Sequence, residues 1–274
     1  MKCRVLTELA ASTKGLRADI IRMIAAAGSG HPGGSLSVID ILAVLYDKHL
    51  RHDPKRPDWP QRDRLVLSKG HAAPALYAVM AQRGFFPKEE LMTLRRLGSR
   101  LQGHPERHRL PGVEAATGSL GQGLSIGLGM ALAARLDGTG QRVYVVSGDG
   151  EMQEGQVWEA LMAAAKFKLD DLTLIVDHNN GQIDGHVDEV MPIDPLAEKL
   201  KSFGWDTRVI DGHDLGAIDA ALSAAKAVRG KPQAIVAMTV KGKGVSFMEN
   251  NIAWHGKAPN QSETEKALKE ILHG

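Results

Sequence analysis

Val143-Tyr144-Val145-Val146, followed by Gly148-Asp149-Gly150, and Leu172-Thr173-Leu174-Ile175-Val176, followed by Asn179-Asn180, frame the middle of the chain. Both apolar runs are short and β-branched, the composition of strands buried on both faces. Between them, Glu151 to Lys166 has helical character and no proline, which predicts a strand, a crossover helix and a second, parallel strand. Only 28 residues separate the two polar strings, so the carboxyl ends of the strands come side by side, where open α/β sheets bind ligands. Gly148 and Gly150 carry no side chain, so backbone amides there can approach an anion, and the following helix directs its positive end to the same place. Asp149 and Asn179 offer hard oxygens suited to Mg²⁺ or Ca²⁺ bridging a phosphate group. Alone, Gly-Asp-Gly and Asn-Asn are ordinary turn sequences; their joint placement across one crossover marks a site.

The same alternation extends outward in both directions. Leu9, Leu16, Ile20, Met23, Ile24 and Ala27 recur at helical spacing and predict a helix over 6–27, with Gly15 a weak point. Four glycines and a proline in Gly28-Ser29-Gly30-His31-Pro32-Gly33-Gly34 predict irregular chain, with Ser35 capping a helix over 36–49. Three prolines and many charges make 51–64 an exposed excursion. A short strand over 64–68 leads through Lys69-Gly70-His71 into a helix ending near Ala81. Thr117-Gly118-Ser119-Leu120-Gly121-Gln122-Gly123 opens a helix over 124–136 whose small residues suit close packing. Further helices are expected near 195–203 and over 215–228, and strands over 205–210 and 233–238. Such alternation predicts a single α/β domain over 1–274, a doubly wound, mostly parallel sheet flanked by helices.

Composition narrows the classes. The chain has 274 residues, 43% hydrophobic and 24% charged, enough for a normal core. A net charge of +2 with interleaved acids and bases leaves no nucleic-acid footprint. The start, Met1-Lys2-Cys3-Arg4, leads into an amphipathic segment, and no apolar run of about 18 residues suggests a membrane span, so a cytoplasmic protein is expected. Cys3 is the single cysteine, which excludes an internal disulfide and a cysteine-based metal site and reads as an incidental thiol.

Of eleven histidines, His31, His71, His104 and His255 sit beside glycine in loops of the kind that carry function. Such histidines can donate to phosphate or hydroxyl oxygens and move a proton near neutral pH. His49, His52, His108, His178, His186, His213 and His273 read as ordinary surface or core histidines. Glu151, Gln153 and Glu154 fall in a first helical turn, where favouring the helix dipole accounts for one acid. Lys241-Gly242-Lys243-Gly244 could hold an anion or be a solvated turn.

These strings, in this order, resemble the N-terminal, diphosphate-binding region of transketolase over nearly the whole chain. The resemblance rests on Ser29-Gly30-His31-Pro32-Gly33, Leu67-Ser68-Lys69-Gly70-His71-Ala72, Gly103-His104-Pro105-Glu106, Thr117-Gly118 with Leu120-Gly121-Gln122-Gly123, Gly148-Asp149-Gly150 with Gln153-Glu154-Gly155, Asn179, Ile183-Asp184-Gly185 and His255-Gly256. It implies a thiamine diphosphate-binding fold. Asp149, Asn179 and the Gly181 carbonyl would hold the divalent cation, and His71 and His255 would contact the diphosphate. His255 would also face substrate, and His31 and His104 would meet the reacting end of a sugar. Gly118, Leu120 and Ile183 would contact the cofactor rings, and Glu154 would link two active sites across a dimer.

Two departures from the family pattern matter. Ser119 stands where a proline is usual, which loosens that turn. A chain ending at Gly274 also lacks the second domain, whose glutamate protonates the cofactor's aminopyrimidine, and the third. The expectation is therefore the N-terminal subunit of a split transketolase, forming an α2β2 heterotetramer with a separate C-terminal subunit and acting on sugar phosphates. Within the fold, the alternatives are a 1-deoxyxylulose-5-phosphate synthase-like protein and a 2-oxoacid dehydrogenase α subunit. The first is disfavoured by Gln153-Glu154-Gly155 and His255-Gly256, and the second by His31-Pro32-Gly33. A non-catalytic module that kept its cofactor pocket is the alternative of another class.

Overall fold

The computed structural model describes residues 5–274, so Cys3 and the rest of the start lie outside the described residues. Helix α1 (Leu6–Ala27) runs unbroken through Gly15 and closes at Gly28, which takes the left-handed φ of 63°. Helix α2 (Pro32–Val44) begins inside the glycine-rich string, a correction to the irregular chain and Ser35 cap expected there. Proline costs nothing at a first helical position, where its missing amide has no partner to lose. The Ser35 hydroxyl instead donates to the His31 carbonyl at 2.7 Å. All 13 residues of α2 are buried, and its last turn widens into a π-helical Leu45–His49.

The excursion over 51–64 is irregular and largely solvent-facing. Asp63 pins its ends by accepting from the Arg51 and Arg142 amides, each at 2.9 Å. Strand β1 (Arg64–Leu67) leads through a single 3₁₀ turn into helix α3 (Ala73–Arg83). Helix α4 (Gln122–Leu136) precedes strand β2 (Val143–Gly148), helix α5 (Gly155–Lys166) and strand β3 (Leu172–His178). The continuous helix expected from Glu151 is broken: Gly150–Gln153 forms a 3₁₀ turn and Glu154 is extended before α5 starts. A tight antiparallel hairpin, β4 (Gly181–Gln182) with β5 (Gly185–His186), passes into the one-turn helix α6 (Val187–Val190). Helix α7 (Leu196–Ser202), strand β6 (Asp206–Asp211), helix α8 (Leu215–Ala227) and strand β7 (Gln233–Met238) follow as expected. Helix α9 (Gln261–His273), capped reciprocally by Asn260 and Glu263, was not anticipated; it buries Ala267 and Ile271.

The five long strands form one parallel sheet in the order β1-β2-β3-β7-β6. Side chains alternate across it and feed two separate cores. Tyr144, Val146, Ile175 and Ile235 join the core made with α1, α2, α3, α8 and α9, while Val143, Val145, Leu172, Leu174 and Val176 join that made with α4, α5 and α7. The sheet is thus covered on both faces, as a doubly wound fold requires. Close approach of α4 to β2 depends on Gly127, where an added Cβ would lie 2.4 Å from Val145 Cγ2.

Candidate active site

Four strands deliver side chains to one rim of the sheet. Beyond β1 stand Lys69 and His71, beyond β2 Asp149, beyond β3 Asn179 and Gly181, and beyond β7 Lys241, all lining a cavity of about 310 Å³. This is the carboxyl edge that parallel α/β sheets use for ligands. Gly118, Leu120, Gly148, Gly150, Glu154, Ile183 and His255 line the same cavity. His31 and His104 join it through ring contacts: His31 lies 5.3 Å from His71, 5.8 Å from His255 and 6.1 Å from His104, centroid to centroid. His71 and His255 stack at 5.2 Å. Every candidate catalytic, cofactor and metal residue named from the sequence therefore converges on one place.

The floor is a buried charge network that sequence reading missed. Asp177, fully buried at the end of β3, forms an ion pair with the Lys69 ammonium and accepts from the hydroxyls of Ser37 and Thr239 and from Asn179 Nδ2. Burial by itself would raise its pKa, but Lys69 and these hydrogen bonds hold it below the ordinary carboxylate value. Asn179 Oδ1 accepts the Gly181 amide at 3.1 Å, and Lys241 Nζ donates to the Gly181 carbonyl at 3.1 Å. Lys241 is only 1% exposed, so its loop is not the solvated turn that was one of its two readings. Burial, then the neighbouring Lys69, lower its pKa to about 8.

Asp149 is equally buried but less well compensated. Its carboxylate accepts the amides of Gly150, at 2.8 Å, and of Asn180, and the nearest cationic candidate, His178 Nδ1, is 3.9 Å away. Burial, reinforced by the Asp177 carboxylate, raises its pKa. Glu151 does not serve a helix dipole. Buried, it accepts the hydroxyls of Ser68 and Ser147 and the amides of Gly121, at 2.9 Å, and Gly148, at 3.1 Å, tying the turn after Gly118 to the end of β2.

The histidines are held neutral. Burial, followed by Arg95, lowers His31 to about 4, and burial, followed by Lys241, lowers His255 to about 3. Burial also drives His71 well below its ordinary value and lowers His104. His255 Nδ1 is buried with no hydrogen-bond partner among the described residues. Among histidines read as ordinary, His49 pairs with Asp219 and His213 with Asp40, each at 2.8 Å. No group of three or more His, Cys, Asp or Glu side chains is arranged for a metal ion among the described residues.

The family model for "Transketolase, thiamine diphosphate binding domain" matches residues 8–273. The chain belongs to the transketolase family. It is 47% identical over 244 residues to the 6-deoxy-6-sulfo-D-fructose transketolase subunit of Clostridium sp. (strain MSTE9), covering 89% of each chain. It is 40% identical over 265 residues to an apulose-4-phosphate transketolase subunit of Actinobacillus succinogenes, covering 96% of each. The crystal structure of Campylobacter jejuni transketolase superposes with a TM-score of 0.90 at 37% identity, over 96% of this chain and 43% of that one. The chain therefore matches two transketolase subunits along most of their length and less than half of a longer transketolase. These relatives are enzymes by name, and all three are transketolases, whereas the alternatives weighed from sequence were other thiamine diphosphate enzymes and a non-catalytic module. As a transketolase domain, the fold explains why the polar strings recur at strand ends: each is the exit of a parallel strand onto a shared rim.

Proposed function

We propose that this chain is the diphosphate-binding subunit of a two-chain transketolase, moving a two-carbon ketol unit from a ketose to an aldose once joined by a separate C-terminal subunit. What supports this most is the charge arrangement of one cavity: the buried ammonium of Lys241 beside the buried, under-compensated carboxylate of Asp149. An anion would satisfy the first and a cation the second, which is the demand of a metal-bridged diphosphate. The residues fit such a group. Asp149, Asn179 and the Gly181 carbonyl present only oxygens, the donor set of a hard cation such as Mg²⁺ or Ca²⁺, and His255 Nδ1, at the same cavity, has no hydrogen-bond partner among the described residues.

When bound, thiamine diphosphate supplies the nucleophilic carbon and electron sink for ketol transfer. The chain's residues divide the remaining tasks. Lys241 and His71 would hold the diphosphate oxygens, since the amides of Gly148, Asp149 and Gly150 are already given to Glu151, the Asp177 carbonyl and the Asp149 carboxylate. Gly118, Leu120 and Ile183, the last 71% exposed, would wall the rings. His255 would contact both the diphosphate and the substrate, and His31 and His104 would meet the sugar's reacting end. Kept neutral near pH 7, each imidazole can donate a hydrogen bond to a sugar oxygen from one ring nitrogen, and the lone pair left on His104 or His255 can take up a proton in the transfer. Glu154, exposed at the rim beside Gly121, would link this site to a second one in an α2β2 assembly. The substrates are sugars with an anionic terminal group, a sugar phosphate above all; both subunit relatives carry an anionic sugar in their names. Among the described residues no helix is long and apolar enough to cross a membrane, and we place the enzyme in the cytoplasm.

Co-purification with candidate C-terminal subunits, followed by ketol-transfer assays with thiamine diphosphate and Mg²⁺, tests this reading. Activity is expected only from the two-chain complex. Full turnover by the isolated chain would overturn the division of the site.

A further inference from the structure

Arg95 stands at the mouth of the histidine cluster, where its hydrogen bonds go to neutral acceptors. Its backbone takes a left-handed φ of 59°, and its amide donates to the Leu101 carbonyl at 2.9 Å. The guanidinium donates to Ser29 Oγ at 3.0 Å, to the Gly103 carbonyl at 3.5 Å and to His31 Nδ1 at 3.4 Å. It is packed flat against the segment leading to His104: a Cβ added at Gly103 would lie 2.7 Å from Arg95 Cζ.

A guanidinium is always ionised and carries donors only. The ring nitrogen facing it must therefore present a lone pair, and a neutral imidazole with its lone pair on Nδ1 carries its proton on Nε2. His31 Nε2 points the other way, toward the His255 side, where a Cβ added at Gly256 would lie 3.6 Å from it. We propose that Arg95 is a positioning residue that fixes His31 in the Nε2–H tautomer, so that His31 meets its substrate as a hydrogen-bond donor and not as a base. The substrate half of this rests on the proposed function; the tautomer half does not. The charged and titratable groups facing His31 are Arg95, His104 and Lys241, with His71 and His255 in ring contact, and none of them offers a carboxylate that would draw the proton to Nδ1.

Long-range ¹H–¹⁵N correlation spectra of the ¹⁵N-histidine-labelled chain near pH 7.5 read the tautomer directly. Wild type and Arg95→Lys, which keeps a donor, should show His31 as Nε2–H, and Arg95→Leu should populate Nδ1–H. An Nδ1–H wild type, or an Arg95→Leu spectrum with His31 unchanged, overturns the proposal, and the wild-type spectrum alone suffices if the leucine variant does not fold. In the reconstituted two-chain enzyme, Arg95→Leu should lower kcat by tenfold or more with Arg95→Lys recovering most of it. A displaced tautomer with undiminished kcat would overturn the substrate half while leaving the tautomer assignment standing.

Discussion

At the residue scale, Asp149 bears the sharpest prediction. Asp149→Asn keeps an acceptor for the Gly150 amide but removes the charge that a hard cation needs. Mg²⁺-dependent binding of thiamine diphosphate should weaken at least tenfold, about 1.4 kcal/mol or more. Isothermal calorimetry with and without Mg²⁺ measures this, and unchanged affinity would remove Asp149 from the cation's ligands. Asp149, Asn179 and the four loop histidines were readable in the sequence because polar residues beside glycine at the ends of apolar runs have few structural reasons to be there. Lys69, Asp177 and Glu151 were not. Each is buried in a pairing with residues distant in the chain, Lys69 with Asp177 across 108 positions and Ser68 with Glu151 across 83, and no local pattern announces a contact of that range.

Among the elements, strand cores were plain and strand ends were not. The apolar runs of β2 and β3 identified both strands, yet each continues two residues further, through Ser147-Gly148 and Asp177-His178. Polar residues at the carboxyl end of a buried strand look like loop, and here they are where the site begins. Helix α2 was read as starting at Leu36 because Pro32-Gly33-Gly34 resembles a breaker, although Gly34 is needed for close approach: its added Cβ would lie 3.3 Å from His71 Nε2. Helix packing offers its own test at Gly127. Alanine there favours helix intrinsically, but its methyl would press on Val145 of β2. Overpacking of this kind costs about 1–3 kcal/mol. Gly127→Ala should thus lower Tm, measured by calorimetry, by roughly 3–10 °C, and adding Val145→Ala should recover part of the loss. A Gly127→Ala variant as stable as wild type would show that α4 is free to shift.

Across the whole molecule, the neutral histidines make stability depend on pH. His31, His71 and His255 have folded-state pKa values below the ordinary 6.5, so between pH 6.5 and about 4 the unfolded chain binds more protons than the folded one. Stability must then fall as pH falls through that window. Asp177 and Asp40, both lowered, add their loss only below the ordinary carboxylate value of 3.8. Allowing for the partial exposure of His31 and His255, Tm should drop by about 5–10 °C between pH 7 and pH 5. A Tm that is flat over this range, followed by scanning calorimetry, would mean the cluster is protonated in the folded state.

The same rim of strand ends carries a kinetic consequence. Its key pairings span long stretches of chain: Ser37 meets Asp177 across 140 residues, and Lys241 meets the Gly181 carbonyl across 60. Contacts of such range carry a loop-closure cost that local structure does not, so the rim exists only once distant parts of the chain have met. The unfolded chain therefore has nothing with which to grip a cofactor. Ligand stabilisation grows as RT ln(1 + [L]/Kd), and for a site that forms after the folding transition state it enters as slower unfolding. Loading this chain should lengthen the lifetime of its native state against proteases, and a folding rate that rises with added cofactor would show that the rim is already formed in the transition state.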